Sequence, residues 1–345
     1  MNPVLARETK ERFRGKRTMP WLLIVWILAI GLIAYLLFVI ARQIAQSQFG
    51  LGQALASGFM GRFLFESMTI LVVTAVVMVV PGLTALSIIG ERERQTFHLL
   101  QVTQMSPYQL VLGKLSSSIA YFGVLIVAVL PIVALPMIFG GTMFSDVAVA
   151  LAFIALLTMM LGSVSMWMSA RAKTSRSAVA MSYAIAFLIA FLSFAGLGAE
   201  YFLALDDRGD LPDEGVESVS ALFNPYFALA SAVEAPLEIG QDRFFASPYT
   251  PLELHLFARQ GAGGAVDLGV GQVAPGTIRI ENGRQFVNYT RPPLWIYTTI
   301  IYLILIGLGL WRATVIVTAP STRVRARNGR NKPEPPTEVV VDGTA

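Results

Sequence analysis

Six apolar runs, each long enough to cross a lipid bilayer, decide what this chain can fold into. They lie at about 21–41, 64–89, 115–139, 147–169, 177–198 and 294–318. At a rise of about 1.5 Å per residue, about 20 apolar residues in a helix span a hydrocarbon core of about 30 Å. Lipid offers no partners to backbone N–H and C=O groups, so a spanning segment must satisfy them internally, as a helix does. The chain therefore reads as an all-α polytopic membrane protein with six transmembrane helices. Only 14% of its 345 residues are charged, against about 25% in a soluble domain. The first run is too long for the apolar core of a cleaved leader, about 7–15 residues. Pro81-Gly82 breaks the second run, and Pro131 and Pro136 interrupt the third. Neighbouring helices can satisfy the carbonyls that prolines free. Such kinks either shape a static bundle or let helices move.

The basic residues orient these spans. One face collects Arg7, Lys10, Arg12, Arg14, Lys16 and Arg17 of the leader, then Arg92, Arg94 and Lys114, then Arg171, Lys173 and Arg176. Arg323, Arg325, Arg327, Arg330 and Lys332 of the tail join them. The short loops of the opposite face carry only Arg42 and Arg62. Lys and Arg accumulate on the cytoplasmic side. Both termini and the 90–115 loop are therefore expected in the cytoplasm, with the chain in the cytoplasmic membrane and membrane lipids as neighbours. The sequence pI of ≈ 9.4 reflects this orientation, and no nucleic-acid partner is expected. Residues 1–20 form either an amphipathic helix on the inner membrane surface or a solvated basic leader. Arg7–Glu11 and Glu8–Arg12 are spaced to pair on such a helix.

Residues 199–293 then lie outside. They carry 13 Asp and Glu against 6 Arg. A connection this long has structure of its own more often than not. Asn224-Pro225 has the form of an N-cap followed by a first helical turn and opens the apolar segment YFALASAV. Asn282-Gly283 is a strong hairpin-turn signal. A small external α/β lid is the expectation. Residues 319–345 are basic, then rich in Pro and Glu, and read as a disordered tail.

Little in the chain could perform catalysis. It has no cysteine, which excludes disulfides, thiolate nucleophiles and thiolate metal sites. Its two histidines, His98 and His255, are too few for a His-rich metal site. Gly15-Lys16 is followed by Arg17 where a phosphate-binding loop needs Ser or Thr, and H-E-x-x-H and G-x-S-x-G are absent. No enzyme activity, bound metal or cofactor is expected of the chain itself. The middles of the spans carry no ionisable residue, which disfavours a proton relay. An uphill pump built from this chain needs energy from elsewhere. Glu66, near the outer end of the second span, is either solvated at the headgroup level or a gate or substrate contact. Phe187, Phe191 and Phe194 form an i, i+4, i+7 stripe on the fifth span; it packs helices, faces lipid or lines a pathway. A membrane enzyme acting on a lipid-linked substrate would have to draw on Asp206, Asp207, Asp210 and Asp213. A non-transporting scaffold or sensor using the external loop is the third possibility.

The stretch 90–115, GERERQTFHLLQVTQMSPYQLVLGKL, holds the strongest signal. Glu91, Arg92, Glu93 and Arg94 alternate in charge at the end of a span. Phe97, Leu99, Leu100 and Val102 give the following piece an apolar side. Ser106-Pro107-Tyr108-Gln109 has the spacing of a capping box with proline at the first helical position. Helix, corner, helix is the reading, placed where a partner can push on it.

These features resemble the membrane subunits of the ABC-2 family of ATP-binding-cassette transporters. The resemblance rests on the basic leader NPVLARETKERFRG, the Glu91–Phe97 start with Leu99-Leu100 and Ser106-Pro107 … Gly113-Lys114, six spans with both ends inside, and a large loop before span six holding an Asn-Pro-opened helix. It implies an ABC-2, type V exporter-like fold. It also implies a dimer with a second permease copy or paralogue, and separate ATP-binding subunits that carry ATP and Mg and dock at the 90–115 coupling loop. In that frame Glu91, Arg92, Glu93 and Arg94 brace the coupling region at the ATPase-subunit interface, and Phe97, Leu99 and Leu100 form the docking ridge. Phe187, Phe191, Phe194 and Glu66 are substrate-path candidates, and export is the implied direction.

Overall fold

The computed structural model describes residues 18–49, 53–95, 106–205, 216–233, 248–249, 252, 255, 278–281, 284–287 and 292–318. The leader 1–17, the segment 96–105 with Phe97, Leu99 and Leu100, the aspartates at 206–213 and the tail from 319 lie outside the described residues.

The long helices are α1 (Thr18–Phe49), α2 (Gln53–Ala85), α4 (Pro107–Ala134), α6 (Phe144–Arg171) and α11 (Leu294–Thr318), together with a composite helix. That composite is α7 (Ser175–Phe187), a π-helical turn (Leu188–Leu192) and α8 (Ser193–Ala204). Short helices α3 (Ile89–Glu93), α5 (Pro136–Phe139), α9 (Val219–Phe223) and α10 (Pro225–Ala232) join them. Strands β1 (Ile278–Glu281) and β2 (Arg284–Val287) pair antiparallel, Glu281 opposite Arg284, on either side of residues 282–283. Among the described residues, five helical stretches are long and apolar enough to cross a membrane. α4, over most of the third predicted run, is continuous for 28 residues.

Two expectations are corrected. The second run is not broken at Pro81-Gly82, since α2 continues to Ala85. The Tyr183 hydroxyl donates to the Met78 carbonyl (2.7 Å), one turn before this proline. Gly82 leaves room for it, because a Cβ there would lie 2.7 Å from the same hydroxyl. Residues 42–63 are also not a loop. α1 reaches Phe49 and α2 begins at Gln53, so Arg42 and Arg62 stand on helices. Helical hydrogen bonding continues past the apolar part of each run, and hydropathy alone does not register that.

α6 is the central helix: 61% of its apolar window is buried, against 11% for α1. Its neighbours approach closely through small residues, as membrane helices do. A Cβ on Gly309 of α11 would lie 2.9 Å from the Ser163 carbonyl carbon and oxygen of α6. Backbone cannot yield as a side-chain tip can. Gly309→Val is therefore expected to lower the thermal midpoint of detergent-purified protein, at an overpacking cost of about 1–3 kcal/mol. An unchanged midpoint would show that the α6–α11 contact is looser than this.

Between α8 and α11, the described residues 216–233 pack at one end of the bundle. Asn224 caps α10, its Oδ1 accepting from the N–H groups of Tyr226 (2.8 Å) and Phe227 (3.4 Å). Seven of the eight residues of α10 are buried. α11 holds the segment through Thr298 Oγ1 to the Leu222 carbonyl (2.8 Å), the Tyr302 hydroxyl to the Phe223 carbonyl (2.9 Å), and Trp295 N–H to Ser231 Oγ (2.9 Å).

Candidate functional site

The end of the bundle opposite α10 is an elbow built around α3. Ser106 and Gln109 form the predicted capping box at the start of α4, each side chain meeting the other's backbone N–H at 3.3 Å. Ile88, Leu110, Val111, Leu115, Met166, Ala170, Ala313 and Val317 make its apolar core. Over that core the alternating charges bond inward, each to a different helix. Glu91 Oε1 accepts from Lys114 Nζ of α4 at 2.6 Å, and Lys114 is buried. Arg92 Nη1 donates to the Ala170 carbonyl in the last turn of α6 at 2.6 Å, where the helix dipole favours a cation. Glu93 accepts from the N–H and the hydroxyl of Ser175 (2.7 and 2.6 Å), placing an anion on the first turn of α7. These two bonds hold the Glu93 carboxyl below its ordinary pKa range. Ser169 Oγ of α6 closes the arrangement, accepting from Ile88 and Ile89 N–H at 3.1 Å each. Arg94 is exposed.

Three of the four charges thus bond to other helices, although Glu93 and Arg94 are exposed. Glu91, Arg92 and Glu93 clamp α4, α6 and α7 to the end of α2, so a push on α3 is shared by four long helices. Nothing local marks Ser169 and Ser175, and in the sequence Lys114 stands out only as an orienting charge and in Gly113-Lys114. Lys114 lies one residue before an apolar run, where a lysine reads as an orienting charge.

Glu66 is buried within the protein and is not solvated. It is fully buried on α2, and its Oε1 accepts from Arg62 Nε at 2.6 Å. The pair stands in the first half of α2, before its midpoint. The i, i+4 spacing of Arg62 and Glu66 was the available signal. The pair meets the segment between α8 and α11, with Arg62 Nη2 donating to the Val233 carbonyl (2.6 Å) and Tyr249 N–H donating to Glu66 Oε2 (3.4 Å).

The phenylalanine stripe runs from the side of the bundle to α10. Phe187 is 58% exposed and stacks at 5.3 Å on Phe191. Phe191 meets Tyr226 at 6.4 Å, and Phe194 meets Tyr226 and Phe227 at 5.9 and 5.3 Å. The π-helical turn inserts one residue between Phe187 and Phe194, and such turns are frequent at functional positions. Asn224 Nδ2 bonds to Ser193 Oγ (2.7 Å) and lies 3.5 Å from the Ala190 carbonyl, tying α10 to that turn. Burial pushes the Tyr226 phenol up from its ordinary pKa, and the Thr74 hydroxyl draws it part of the way back. Among the described residues, no group of three or more Asp, Glu or His is placed to hold a metal ion.

Fold and site together define a multi-pass membrane protein whose helix ends are clamped at one elbow. A family profile described as ABC-2 family transporter protein matches residues 62–316. The chain belongs to that family and is a membrane permease. Comparison with curated proteins gives no match.

Proposed function

We propose that the chain is the permease subunit of an ATP-driven exporter, with six spans, both termini in the cytoplasm and the elbow as its coupling site. The clamp of Glu91, Arg92 and Glu93 on three helices carries this reading, because it lets one local push move most of the bundle. ATP and Mg bind separate ATPase subunits, which dock on Phe97, Leu99 and Leu100 beside α3. Closure of those subunits biases a two-state change of the membrane helices from inward- to outward-facing. A second permease copy or paralogue completes the pathway, with Phe187 at its wall. The segment α9–α10, with the hairpin β1–β2, serves as an external lid.

Replacing Leu99 and Leu100 together with Asp puts two charges on the apolar docking ridge. The doubly substituted permease is expected to insert normally but to lose its co-purifying ATPase by at least about tenfold, the factor for 1.4 kcal/mol. Retention of full ATP turnover with the purified permease would overturn the docking assignment.

A further inference from the structure

We infer that Arg62 and Glu66 form a latch that fastens the external lid to α2 and releases it when α2 moves; the inference rests on the proposed function. A buried arginine needs a partner anion in a place like this. Here the anion stands one turn away on the same helix, so the two charges satisfy each other whether or not the lid is seated. The lid adds its own bonds to this ready-made pair. The carbonyl of Val233, at the C-terminal cap of α10, accepts from Arg62, where the helix dipole favours a cation. The backbone N–H of Tyr249 donates to Glu66. Asp146 Oδ2, 3.7 Å from Arg62 Nη1, stands in the first turn of α6 and accepts from Met143 N–H.

Further along α2, Thr69 Oγ1 bonds the Tyr249 hydroxyl (2.6 Å) and Thr74 Oγ1 bonds the Tyr226 hydroxyl (2.9 Å). Among the described residues, four hydrogen bonds join this side of the lid to α2, the helix that continues into the elbow. On its other side the lid is held by α11 and by Asn224 on the π-helical turn. That side, bonded to two further helices, acts as the hinge. Separating the lid from α2 breaks hydrogen bonds but strands no charge. This reversibility is what a latch needs and a purely structural ion pair does not.

The native chain has no cysteine, which makes the test direct. Ala230 of α10 is 2% exposed. Ala230→Cys, in the complete transporter reconstituted into vesicles, is labelled from the outside with a membrane-impermeant maleimide. In an otherwise native chain, labelling should be slow without nucleotide and faster during ATP turnover. Arg62→Met with Glu66→Met keeps the packing volume and removes both buried charges, while Asp146, part-exposed, keeps its bond from Met143 N–H. The double variant should label at least about tenfold faster without nucleotide, with little further response to ATP. Arg62→Lys keeps the pair but loses the fork that reaches Val233, and should fall between; it carries the test if the double variant misfolds. Labelling as slow as in the parent, in either folded variant, overturns the latch. A parent that ignores ATP beside a double variant that labels fast would sink the transport reading and leave the latch standing.

Discussion

Lys114→Met is expected to loosen the elbow more than any other single change described here. It removes the cation from a 2.6 Å bond and leaves Glu91 facing an apolar neighbour. Breaking a fully buried pair costs about 3–5 kcal/mol. The Glu91 side chain keeps 24% of its surface exposed, so the cost falls at the low end of that range. Glu91→Leu combined with Lys114→Met removes both charges and should recover most of the stability, because apolar replacement of an ion pair is often neutral. It should not recover coupling, since the link between α3 and α4 is still missing. The expected result is a near-native thermal midpoint for the double variant, with ATP turnover in the complex no longer tied to exposure of the lid. If the double variant couples normally, the pair serves stability alone.

Asn224→Ala should have the second-largest effect. Asn224 is fully buried and its one side chain serves three elements. Its Oδ1 caps α10, and loss of such a cap costs about 1 kcal/mol. Its Nδ2 donates to Ser193 Oγ beside the π-helical turn; Ser193 keeps its own bond to the Ile189 carbonyl, so losing this contact costs about 1 kcal/mol more. The lid should therefore detach from its hinge side, seen as fast outside labelling at Ala230→Cys and a lowered thermal midpoint. Asn224→Asp keeps the capping oxygen and loses the donor, so it separates the two roles. A protein with Asn224→Asp that behaves like Asn224→Ala would place the whole effect on the bond to Ser193.

What could be read from the chain alone was whatever depends on local pattern. The capping box at Ser106, the Asn224 cap before Pro225, and the strands flanking Asn282-Gly283 are set by a few adjacent residues, and the structure has them where they were expected. Five of the six runs coincide with helices long and apolar enough to cross a membrane, because lipid imposes a simple length rule. Their ends were not legible, since helical hydrogen bonding continues beyond the apolar run, as from Phe63 back to Gln53. The buried pair on α2 was missed for the same reason: Arg62 read as a loop cation because the helix was started too late. The inward role of Glu91, Arg92 and Glu93 needed partners 23, 78 and 82 residues away, which no local pattern encodes.

The most direct measurement of the central claim is photocross-linking from Arg94, an exposed member of the charged run. Arg94→Cys, the sole cysteine in the chain, would be tagged with a thiol-reactive photocross-linker in inside-out membrane vesicles and irradiated. The account expects a single major adduct with a polypeptide that binds ATP, weakened when Leu99 and Leu100 are replaced by Asp. It would be contradicted if that cysteine reacted with impermeant reagent from outside intact cells, or if the captured partner bound no ATP.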